Sequence, residues 1–168
     1  MKLKYLVLIS VSGTIIALDQ LTKHLVVRGF HLGESLHLIP GFFSLTYVRN
    51  PGAAFGLLNT WDPVYRIPFF ITIPVVALAA IFFVFRKVSD DDLILSSALS
   101  LVIGGAIGNL IDRVAYNYVI DFLDFYWKET GPHFPAFNVA DSAISVGVAL
   151  LILDIFRKEK RAHAADSV

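Results

Sequence analysis

Long apolar runs separated by polar stretches dominate the pattern of this chain. Four runs approach the ~20 residues that a helix needs to cross a bilayer. They lie at about 5–27, 67–85, 93–111 and 139–156. Asp19, Lys23 and His24 interrupt the first one late. The link between the second and third is the short "RKVSDDD", whose acids suit the start of a helix as a solvated cap. Two longer polar segments remain, about 28–66 and 113–137. In the first, "FFSLTYV" alternates, with Phe43, Leu45 and Tyr47 on one parity, as a strand does. "RNPGAAFG" follows, with turn chemistry at Asn50, Pro51 and Gly52. The second, "VIDFLDFYWKETGPHFPAF", is rich in aromatics and reads as a loop at headgroup depth. The expected fold is an all-α membrane protein with four transmembrane helices, a small extracytoplasmic β element and an interfacial aromatic loop. Residues 1–168 are read as one integral membrane domain, with a polar, frayed tail after Phe156.

Composition agrees with that class. Of 168 residues, 56% are hydrophobic and 17% charged, against about 25% charged in soluble domains. The formal net charge is zero, so nothing points to a nucleic-acid partner. The absence of Cys excludes disulfides, thiolate metal sites and a cysteine nucleophile. Lys2 and Lys4 before the first run resemble a signal peptide, but no small-x-small cleavage site follows and the pattern resumes as "LTKHLVV". The first run is therefore read as a retained membrane helix. With both termini cytoplasmic, Lys2, Lys4, Arg86, Lys87, Arg157, Lys158, Lys160 and Arg161 lie inside. Arg28, Arg49, Arg66, Arg113 and Lys128 are spread over the longer outer segments, so basic density favours this orientation. Trp61 and Tyr65 then suit the outer interface.

Small residues suggest how the helices meet. Ser100, Gly104 and Gly108 recur every four residues in the third run, and Ala143 and Gly147 do so in the fourth. Such spacing lets backbones approach in lipid. Helices three and four are expected to pack together, bringing their outer ends beside the second outer segment.

Acids near those ends are the candidate chemistry, because ionisable groups are costly in a membrane. Asp141, in "FNVADSAIS", lies three residues after Asn138 and reads either as a capping-box acid or as a catalytic group. A helix start also suits its anion. Asp121 and Asp124 both sit among apolar residues in "VIDFLDFY", and spacing alone does not separate them. Asn109 and Asp112 share a helix face with Gly105, and Arg113 stands beside them as a counter-charge. Asp112 reads as a group that ties helix ends or orients other acids. Asp19 and Lys23 are spaced as an intrahelical pair. The five His residues show no i, i+4 pairing, so a metal site is not expected. Ser142 lacks a nucleophile elbow and reads as polar packing. Two close carboxyls sharing one proton fit this inventory best: one activates water, the other polarises an amide carbonyl. A proton- or ion-coupled transporter is the rival reading, and a non-enzymatic membrane scaffold a second.

At these motifs the chain resembles lipoprotein signal peptidase (signal peptidase II), a bacterial membrane aspartyl peptidase family. The resemblance runs through "DQLTK", "RNPGAAFG", "GGAIGNLIDR", "VIDFLDFY" and "FNVADSAIS" in that order, with no departure at the motif positions. It implies a catalytic dyad of Asp121 and Asp141, and so selects Asp121 over Asp124. It implies supporting or substrate-positioning roles for Asp19, Lys23, Asn50, Gly52, Asn109, Asp112, Arg113 and Asn138. It further implies no cofactor and no metal, the bacterial cytoplasmic (inner) membrane as location, and an active site toward its outer face. The implied partners are diacylglyceryl prolipoproteins, cut just before the lipidated Cys, with membrane lipid and the inhibitor globomycin.

Overall fold

A computed structural model gives the architecture and describes residues 2–52, 58, 60–128 and 131–166. The Ala53–Gly56 part of "RNPGAAFG" lies outside the described residues. The element order is α1 (Leu3–Gly29), β1 (Ser35–Ile39), β2 (Phe43–Asn50), α2 (Pro63–Lys87), α3 (Leu93–Tyr116), β3 (Val119–Phe125) and α4 (Val139–Asp166). All four helices contain a stretch long and apolar enough to span a membrane. The most apolar window of α2 buries nothing against the rest of the protein. Such a surface is stable against lipid, not water.

Local chemistry marks the helix boundaries. Asp62 caps α2 by accepting from Val64 N at 2.9 Å, and Pro63 occupies the first turn, where its missing N–H costs nothing. Asp92 caps α3 through Leu95 N at 3.2 Å, and Asn117 closes it in the left-handed conformation at φ 64°. The α3 helix thus runs to Tyr116, past its expected end at 111. The α4 helix runs to Asp166, past its expected end at 156. Asp154 bonds Arg157 at 3.0 Å in that stretch, and Lys158 reaches Asp92 at 2.6 Å.

The α3 helix is the hub, packed by α1, α2 and α4. Helices α3 and α4 do pack together as expected, with Gly147 of the α4 stripe against α3, but Gly104 and Gly108 of the α3 stripe make their tightest approach to α1. A Cβ on Gly104 would lie 2.9 Å from Ser12 Cα of α1, and one on Gly108 would lie 2.7 Å from Asp19 Oδ2. The face toward α4 instead includes Gly105, against the Ala140 backbone, and Val102 and Ala98, which meet Gly147. Spacing identifies a face with small residues; it does not identify the helix opposite.

The second outer segment is not simply a loop. Val119–Phe125 is a strand, and β1, β2 and β3 form one antiparallel sheet in that order. Its register contains one irregularity that matters. Leu45 pairs with Leu123, but Val48 pairs with Asp121, so two residues of β2 oppose one of β3. Cross-strand partners share a face. This bulge therefore turns Asn50, paired with Val119, onto the face of Asp121. Strict alternation would have left Asn50 on the face of Ser44 and Thr46.

The two ends of the bundle are built differently. At one end lie the sheet, the start of α4 and the ends of α1 and α3. At the other, buried Lys4 donates to Arg86 O at 3.0 Å and Val88 O at 2.6 Å, closing the end of α2.

Candidate active site

Asn138 organises the site. Its Oδ1 accepts Asp141 N at 2.9 Å, and Asp141 Oδ2 accepts Asn138 N at 3.3 Å. That reciprocal pair is a capping box, so the capping reading of Asp141 holds. The Asn138 amide nitrogen also donates to Asp121 Oδ1 at 2.7 Å, to Asn109 Oδ1 at 3.1 Å and to Ile120 O at 3.2 Å. Asn109 Nδ2 in turn donates to Asp141 Oδ1 at 2.7 Å. Two asparagines thus link the two acids, one on β3 and one on α4. Asn50 Nδ2 adds a 3.0 Å bond to Asp121 Oδ2, and Asn50 Oδ1 accepts Gly52 N at 3.1 Å, bracing the turn.

Behind this layer lies a buried ion cluster. Lys23 Nζ stands 2.8 Å from Asp19 Oδ2 and 2.9 Å from Asp112 Oδ2, and donates to Asn109 Oδ1 at 2.9 Å. Asp19 also accepts Ala140 N of α4, and Asp112 accepts Ile120 N of β3, both at 3.0 Å. The Asp19–Lys23 pair is present, but it is not merely intrahelical. Asp112 finds its counter-charge in Lys23, not in adjacent Arg113, because neighbouring helix positions point apart. Arg113 instead reaches Gly52 O at 3.4 Å and lies 5.4 Å from the Phe70 ring centroid of α2.

Asp121 and Asp141 line one cavity of about 590 Å³. Asn50, Asn109 and Arg113 supply its other strongly polar groups, and Phe134, Pro135, Ala136 and Phe137 form an apolar wall. Burial, and after it the like charge of Asp141, push the Asp121 carboxyl up to about 7 against the bonds from Asn50 and Asn138. Asp124 does not reach this cavity; it faces Ser44, Thr46 and His133. Ser142 lines the cavity with its hydroxyl turned back to Asn138 O at 2.9 Å.

The model describing signal peptidase (SPase) II matches residues 11–157. The chain belongs to the signal peptidase II family. The matched span takes in every residue of the polar layers just described. The lipoprotein signal peptidase of Geobacter metallireducens is 53% identical over 161 residues, covering 96% of this chain and 97% of that protein. That of Geobacter sulfurreducens is 55% identical over 146 residues, covering 87% and 89%. A solved structure described as a bacterial membrane enzyme, determined by the in meso method at 2.3 Å, superposes with a TM-score of 0.78. It is 34% identical and covers 92% of this chain and 90% of its own. These relatives give the transporter reading no support. The protein is thus a multi-pass bacterial membrane peptidase of the signal peptidase II family.

One neighbour of these polar groups was missed by sequence reasoning. Gln20 donates to Asp112 Oδ1 at 3.0 Å, to Gly108 O at 3.1 Å and to Asp19 Oδ2 at 3.2 Å. The available signal was an amide beside Asp19 in an otherwise apolar run, where polar groups need partners.

Proposed function

We propose that this chain is an aspartic endopeptidase that removes the signal peptide from diacylglyceryl-modified prolipoproteins, cutting just before the lipidated Cys. The observation that carries this reading is the pair Asp121 and Asp141, linked by two asparagines and facing one largely apolar cavity. Asp141 takes a proton from water as the water oxygen attacks the scissile carbonyl carbon. Protonated Asp121 hydrogen-bonds the carbonyl oxygen and gives up its proton as the tetrahedral intermediate forms. On collapse the C–N bond breaks, the departing amine takes the proton held by Asp141, and Asp121 is reprotonated from the intermediate's hydroxyl. The products are a signal-peptide carboxylic acid and the amine of the lipidated Cys, which become carboxylate and ammonium by proton exchange with water. Asp121 takes the acid role here because burial and the charge of Asp141 raise its carboxyl.

Asn109 and Asn138 fix the carboxyls, and Lys23, Asp19 and Asp112 brace Asn109 from behind. Asn50 and Gly52 hold the sheet side, and Arg113 stands at the rim to meet the substrate backbone or headgroup. The site lies toward the outer face with both termini cytoplasmic, which the distribution of Lys and Arg supports. Reporter fusions at His133 and Val168 test that orientation; an outward-facing C-terminus sinks it. Membrane lipid and globomycin-type peptides are the further partners expected from the resemblance.

Cleavage of a diacylglyceryl prolipoprotein by the purified protein is the direct test. Asp121→Asn and Asp141→Asn keep side-chain size but cannot share the proton. Each is expected to lower kcat by at least about a thousandfold, with folding intact. Retained turnover in either variant overturns the dyad. A chelator is expected to leave turnover unchanged.

A further inference from the structure

Asp124 lies three residues beyond Asp121 on β3 and projects from the opposite face. It is buried, and three side chains converge on it. Ser44 Oγ and Thr46 Oγ1 of β2 donate to Oδ2 at 3.3 and 3.2 Å. His133 Nδ1 stands 2.9 Å from Oδ1 and 3.1 Å from Oδ2. A carboxylate only accepts, so Nδ1 is the protonated ring nitrogen. The His133 ring also stacks on Tyr126 at a centroid distance of 5.0 Å. Tyr126 in turn bonds His37 Nδ1 of β1 at 2.9 Å through its hydroxyl. The cluster therefore joins all three strands to the segment that carries His133.

That segment, residues 131–137, returns along β3 before α4 begins. Its backbone meets β3 at Phe134 N to Phe125 O, 2.7 Å, and at Phe137 N to Leu123 O, 3.1 Å. Pro135, between them, has no N–H to give. Residues 134–137 then form the apolar wall of the cavity that holds Asp121 and Asp141. The His133 side chain is 54% exposed, so it contributes little apolar burial. What it supplies is a directional bond to a buried acid.

We infer that Asp124 and His133 are a positioning pair that latches the apolar wall of the cleavage site for the acylated substrate. The inference rests on the peptidase reading above. The pair bonds neither carboxyl of the dyad, so its loss acts on how substrate is held and not on proton transfer.

Cleavage kinetics of the full-length protein in lipid nanodiscs, with a diacylglyceryl prolipoprotein, test this. His133→Phe keeps an aromatic ring over Tyr126 and removes Nδ1. KM is expected to rise roughly tenfold, the size of one lost hydrogen bond to a charged group, with kcat within about threefold of the parent. His133→Asn, whose amide nitrogen takes the place of Nδ1, restores KM. Amide hydrogen exchange at Phe134 and Phe137 quickens in His133→Phe and returns toward the parent in His133→Asn. That reading needs no turnover, so it judges the latch even where the parent leaves the prolipoprotein uncut, an outcome that sinks the peptidase reading alone. Unchanged KM and unchanged exchange in His133→Phe overturn the latch. A loss of kcat as deep as that of Asp121→Asn, at constant KM, also overturns it, because the pair would then belong to the chemistry.

Discussion

Asp121 is raised by two causes that a single substitution separates. Burial is the larger and the charge of Asp141 the smaller. Asp141→Asn removes only the second. Asp121 is then expected to titrate below about 7, yet still above the ordinary Asp value of about 3.9. The carboxyl infrared band of isotope-labelled Asp reads this directly, and an unmoved Asp121 means the two acids do not interact. The same shift predicts the parent's pH profile. In the proposed role Asp121 acts as the acid and must be protonated, so kcat/KM is expected to fall as pH rises through about 7. A profile flat across that range removes Asp121 from the acid role. At this scale the sequence was half legible. Asp141 declared itself through Asn138, because a capping box is a local pattern. Asp121 and Asp124 were inseparable while their segment read as a loop. Once it is a strand, residues three apart face opposite ways, and only one faces α4.

Among elements, the helices were legible because lipid offers the backbone no hydrogen bonds, which forces long uninterrupted apolar runs. Two features were not. The β2 bulge arises from pairing with β3, which lies far along the chain, so no local alternation encodes it. Gly104 and Gly108 looked like the contact with α4, while the tightest approach on that side falls at Gly105 and a Cβ on Gly108 would meet Ala140 Cβ at a looser 3.3 Å. Gly105→Ala tests the assignment. Its Cβ would run into the Ala140 backbone, which cannot rotate away as a side chain tip can. The expected cost is about 1–3 kcal/mol, read as a lower unfolding temperature in detergent. Turnover should fall as well, because Ala140 directly precedes Asp141. Gly13, with open space around it, is the control, and Gly13→Ala should cause neither effect. Equal destabilisation by both would make the loss one of lipid solvation and not of α3–α4 packing.

For the whole molecule, the question is which end of the bundle holds it together. At the end that carries Asp121 and Asp141, Lys23 lies 1% exposed between Asp19 and Asp112, which also bond α4 and β3 through Ala140 N and Ile120 N. One side chain therefore couples α1, α3, α4 and the sheet. Lys23→Met leaves two buried carboxylates without their cation, and breaking a buried pair in this way costs about 3–5 kcal/mol. At the other end, Lys158 bridges Asp92 and Asp154 with its side chain 48% exposed. Water screens that bridge, and Arg157 still pairs with Asp154 after its removal. Lys158→Ala should therefore cost about 0–1 kcal/mol. Thermal unfolding of both variants in one detergent decides the matter. If Lys158→Ala is the more damaging, the bundle is held at its far end, and the Lys23 cluster serves only to aim Asn109. If Lys23→Met is, the groups that orient the dyad are also those that hold the helices together. Stability and chemistry then share the same buried ions, and damage to Lys23 should lower both.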